Sequence, residues 1–91
     1  MSANTLQTLT DPSEIEPVIA GTLALMSHYP ARQCVCMSEK ISHNLALLAN
    51  CPHLSPPFKS LCDRLKTDWD EIVAQKYAEI VTHQLQHAAL H

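Results

Sequence analysis

His83, His87 and His91 stand at successive four-residue steps near the end of the chain. On a helix this spacing lines them along one face, where two imidazoles can grip a zinc, nickel or copper ion. A working metal centre also needs further ligands and an outer shell that orients the rings. No carboxylate stands between these residues as in the His-Glu-x-x-His pattern. The three histidines are therefore candidate ligands by spacing alone, and the simpler reading is a polar face on a terminal turn, where a protonated histidine suits the helix dipole. No metal or other cofactor is assigned.

Four cysteines offer the second possible chemistry: Cys34, Cys36, Cys51 and Cys62. The opening residues Met-Ser-Ala-Asn-Thr-Leu carry neither the positive region nor the long apolar run of a secretory signal, so a cytoplasmic location and reduced thiols are expected. Within a helix Cys34 and Cys36 would be rotated by about 200° from one another, too far to share an ion. Cys34 falls on an apolar stripe and Cys36 off it, which reads as a buried small hydrophobe beside an incidental thiol. Cys51 and Cys62 flank a proline-rich turn and could approach each other. Together with His83 and His87 they support one alternative function, a metal- or redox-responsive protein.

For hydrolysis or group transfer the sequence offers no machinery. Ser27, Ser38, Ser42, Ser55 and Ser60 lack the glycines of a nucleophile elbow, and no glycine-rich phosphate loop is present. The acidic pairs Glu14/Glu16 and Asp68/Asp70 are spaced i, i+2 and diverge on a helix. An enzyme is not expected. Nor is a nucleic-acid partner, since the formal net charge is −3 and the one basic cluster, Lys59, Arg64 and Lys66, is interleaved with Asp63, Asp68, Asp70 and Glu71. No apolar run approaches the roughly 20 residues of a membrane span.

The elements that must carry these side chains are marked by prolines. Gly21 is the only glycine, so tight hairpins needing positive φ have nowhere to form, and six prolines leave three proline-free stretches. Each stretch repeats apolar residues at three- and four-residue steps, which predicts an all-α, three-helix, up-down-up domain over residues 11–91 behind a tail at 1–10. The tail is expected to be loose unless Leu6 and Leu9 dock. The first helix is predicted at about 13–29, with the stripe Ile15, Val18, Ile19, Thr22, Met26 and Tyr29 widened by Leu23 and Leu25. Asp11 and Glu14 suit a capping box before it, but Pro17 favours a start near Ser13–Pro17 with Ser13 or Glu14 as the cap, after a separate turn, and Pro30 ends it. Either a close helix crossing or drift at an undemanding position would account for Gly21. The second helix is predicted at 31–50, with Cys34, Met37, Ile41, Leu45 and Leu48 inward. Ser55 should cap the third, with Pro56 and Pro57 in its first turn.

That third helix, 56–90, is predicted to be about twice as long as the others unless it kinks near 67–71. Its first half carries Phe58, Leu61, Cys62, Leu65, Trp69 and Ile72 on one stripe, with Trp69 expected in the core. Its second half carries Val73, Tyr77, Ile80, Val81, Gln84 and Ala88 on a stripe turned by about a quarter of the circumference. Two short helices cover the first stripe but not the second. The second stripe, with Leu85, is therefore the expected interface, by which a non-catalytic interaction or adaptor protein completes a larger bundle as a homodimer or other small closed oligomer.

Overall fold

The computed structural model describes residues 9–89, the last of these by its backbone alone. Met1–Thr8, including Leu6, and Leu90 and His91 lie outside the described residues. Within them the chain is all-α: a 3-10 turn at Pro12–Glu14 leads into α1 (Ile15–Arg32), followed by α2 (Val35–Ala49) and α3 (Pro56–Ala89), with no strand.

The caps follow from the side chains in place. Asp11 accepts the Ser13 amide at 3.0 Å and so caps the 3-10 turn, while Glu14 at the start of α1 makes no side-chain cap. A separate turn thus stands in place of the capping box, as Pro17 leads one to expect, and it leaves Pro17 among the first residues of α1, where no donor is missed. At α3, Ser55 Oγ accepts the Phe58 amide at 3.4 Å, as its position before two prolines predicts.

The first boundary differs from the sequence expectation. Pro30 lies inside α1, which continues to Arg32. Tyr29, the residue a following proline would push out of the helical region, is buried with its ring edge-on to Trp69, the centroids 5.0 Å apart. Packing at Tyr29 outweighs that local preference. The link to α2 shrinks to Gln33 and Cys34, and α2 starts at Val35 rather than at 31 or 32.

Helix α2 is the central element, packed against both α1 and α3. Ile41, Leu45 and Leu48 are almost wholly buried, joined in the core by Leu9, Tyr29, Cys51 and Cys62. Leu9 docks through its backbone as well, since the Cys51 thiol donates to its carbonyl at 3.6 Å and His53 Nε2 lies 3.0 Å from the Thr10 carbonyl. Because both helices pack on α2, its polar residues Ser38, Ser42 and Asn44 are buried too. Ser38 satisfies its hydroxyl on the Val35 carbonyl, and Ser42 donates to the Asp70 carboxylate on α3.

Gly21 occupies an undemanding position, and one expectation about packing fails. A Cβ on Gly21 would meet nothing within 4 Å, so no helix crosses closely there. Leu23 and Leu61, assigned to inward stripes, are 61% and 46% exposed, because α1 and α3 both pack on α2 and, away from the Tyr29–Trp69 ring contact, stand apart across a groove. Helix α3 runs without interruption through 67–71. At 1.5 Å per residue its 34 residues span about 51 Å, which sets the 54 Å long dimension of the molecule. The radius of gyration is 16.0 Å, against about 12 Å for a compact chain of this length.

Candidate interaction surface

The interface residues expected on distal α3 divide into two groups. Helix α2 runs antiparallel to α3, and its start lies level with Lys76 and Tyr77. Lys76 Nζ donates to Gln33 Oε1 at 3.1 Å and to Glu79 at 3.2 Å, and the Tyr77 hydroxyl donates to Glu39 Oε2 at 2.6 Å. The Glu39 carboxylate holds the Tyr77 phenol above its usual pKa by accepting a hydrogen bond from its hydroxyl and repelling the phenolate. Val73 is half-buried. Val73 and Tyr77 are thus placed against their own chain.

Beyond them, among the described residues, no further helix packs on α3. Every residue from Tyr77 to Ala88 is exposed, including Ile80, Val81, Gln84 and Leu85. Residues 78–89 extend past the Tyr77 contact by about 18 Å. Ile80, Val81 and Leu85 are 41%, 51% and 66% exposed, and together they form an apolar face on an overhanging helix.

A second apolar surface was not foreseen in the sequence. Between α1 and α3 opens a groove of about 170 Å³, walled by Ile19, Leu23 and Met26 on one side and by Phe58, Leu61 and Leu65 on the other. Leu45 and Leu48 of α2 form part of its lining. Thr22 contributes carbon to it, because its hydroxyl is turned back to the Val18 carbonyl at 2.7 Å. The signal for this groove lay in stripes wider than one contact needs: Leu23 and Leu61 flank stripes that α2 already satisfies.

The candidate ligands behave differently from one another. His83 and His87 are exposed and stack at 6.4 Å between ring centroids, with 20° between planes, while His91 lies outside the described residues. Among the described residues, no three His, Cys, Asp or Glu side chains gather as a metal site. Cys51 and Cys62 are both buried and both free thiols. Burial pushes the Cys62 thiol above its usual pKa, as removing a thiolate from water requires.

Cys34 is the clearest correction. It is exposed and lies outside the core, because the longer α1 leaves it in the link rather than on the inward face of α2. Its backbone is extended, with φ −100° and ψ 136°, and it stands at the cap position just before α2. The 200° rotation that separates Cys34 and Cys36 within a helix therefore does not apply. Both thiols are exposed, and the Cys36 thiol favours a thiolate at Cys34.

Comparison with models of known protein families, with curated proteins and with solved structures finds no match to this chain.

Proposed function

We propose that this chain is a non-catalytic interaction module that self-associates through the overhanging part of α3. The observation that carries the reading is the continuous run of exposed positions from Tyr77 to Ala88, with Ile80, Val81 and Leu85 among them, on a helix whose own-chain cover ends at α2. An isolated helical end gains little from intrinsic propensity, and most helical stability in proteins comes from packing an apolar face. A two-fold contact buries the same patch on both copies with one repeated surface, the commonest arrangement among soluble oligomers. The α1/α3 groove adds a second apolar surface that suits an adaptor, and the acidic formal charge of −3 favours a protein partner over nucleic acid.

Light scattering on the purified chain at micromolar concentration tests the proposal. The expected mass is about twice that of one 10.1 kDa chain. A mass near that of a single chain rejects self-association and leaves the overhang as a surface for a different protein.

A further inference from the structure

We propose that Cys34 and Cys36 form an exposed redox dithiol that exchanges with small disulfides of the glutathione class and closes an internal Cys34–Cys36 disulfide at the α1–α2 link. The inference is independent of self-association, which concerns the far end of α3.

The placement of the pair carries the argument. Both thiols are free and exposed, whereas Cys51 and Cys62 are buried. Residues two apart span at most about 7 Å even when fully extended, so the Cα atoms of Cys34 and Cys36 start near the separation of about 4.4–6.8 Å that disulfides adopt. Cys34 is extended at the mouth of the helix and Cys36 sits in its first turn, so the fixed rotation between two helical residues does not hold their sulfurs apart.

The surroundings make the two thiols unequal. The sulfur of Cys34 makes no full capping hydrogen bond. Its thiolate is nonetheless favoured, first by the Met37 amide and then by the Cys36 amide, the open donors of the first turn of α2. The Cys36 thiol and the Arg32 guanidinium add to this, and together they hold the Cys34 thiol below its usual pKa. Cys36 is pushed the other way, first by its hydrogen bond to Cys34 and the charge there, and further by Glu39. The other charged or titratable groups beside the link are Lys76, which reaches Gln33, and Tyr77, which is bonded to Glu39. One sulfur is thus equipped to attack and its neighbour keeps its proton in reserve.

The reaction balances as two exchanges. The Cys34 thiolate attacks one sulfur of the small disulfide. A new S–S bond forms, the old one breaks, and the departing thiolate takes up a proton from water. Cys36 then loses its proton to solvent and attacks the Cys34 sulfur of the mixed disulfide, releasing the second small thiol. The protein dithiol is oxidised by two electrons and the small disulfide is reduced to two thiols.

The test is intact-mass spectrometry with peptide mapping, on the full chain incubated with oxidised glutathione. The wild type should lose two hydrogens, mapped to a Cys34–Cys36 bond. Cys36→Ser should stop at one glutathione on Cys34, and Cys34→Ser should react at Cys36 at least about tenfold more slowly. Both substitutions are at exposed positions and leave the core intact. The proposal is overturned if the wild type keeps stable glutathione on both residues, if it forms covalent dimers instead, if the bond maps to Cys51 or Cys62, or if the two single variants react at equal rates.

Discussion

The Tyr77 hydroxyl and the Glu39 carboxylate, 2.6 Å apart, mark the last turn of α3 that lies beside α2. On one side of that contact α3 is a core helix, with Cys62 buried and Trp69 against Tyr29. On the other side it is a bare helix with apolar residues on its surface. The division matches the two stripes at different angles: the first half answers to the chain's own core, and the second lies where α2 does not cover it.

Ile80→Asp should shift the oligomer toward monomer, because it places an unpaired charge in the proposed seam. Light scattering over a dilution series reads the effect. The fold of the monomer should survive, since Ile80 lies beyond the region covered by α2, and far-UV circular dichroism should stay helix-dominated.

Acid should weaken the α2–α3 contact at Ser42 and Asp70. The Asp70 carboxylate is held below its usual pKa first by the Lys66 ammonium, 2.7 Å away, and then by the Ser42 hydroxyl. A carboxylate depressed in the folded state contributes stability above its unfolded pKa, near 4, and loses it as pH falls through the folded value. Asp70 is about half exposed, so solvent screening keeps the contribution to well under about 1 kcal/mol. In thermal melts the gap between wild type and Asp70→Asn should be larger at pH 7 than at pH 3.

Tyr29→Phe should leave stability unchanged or raise it slightly. The Tyr29 hydroxyl is buried without a protein hydrogen-bond partner, and an unpaired buried hydroxyl is costly to keep from water. The ring, by contrast, packs on Trp69, so Tyr29→Ala should cost about 3–5 kcal/mol. Urea unfolding of the two variants separates ring from hydroxyl.

Cys62→Ala should destabilise by about 1–2 kcal/mol, since the side chain is 3% exposed within the core. Cys36→Ala should stay within about 0.5 kcal/mol of wild type, as expected for an exposed position. A native thiol reagent should label Cys34 and Cys36 quickly and Cys51 and Cys62 only on unfolding. Urea melts and timed labelling together check the assignment.

Much of the architecture is written locally. Glycine scarcity, proline placement and apolar steps of three and four are properties of short segments, and they suffice for three helices, for the Ser55 cap before Pro56 and Pro57, and for Ile41, Leu45 and Leu48 as an inward face. Tertiary structure decided what depends on neighbours distant in sequence. Packing of Tyr29 on Trp69, 40 positions apart, accompanies α1 past Pro30, and that shift of one helix end moved Cys34 out of the core and beside Cys36. The packing of both α1 and α3 on α2 buried Ser38 and Ser42 and left Leu23 and Leu61 at an open groove. The extent of α2 along α3 placed Tyr77 beside Glu39 and Ile80 in the open. Periodicity names the face a residue occupies; only the arrangement of helices in space decides whether anything covers it.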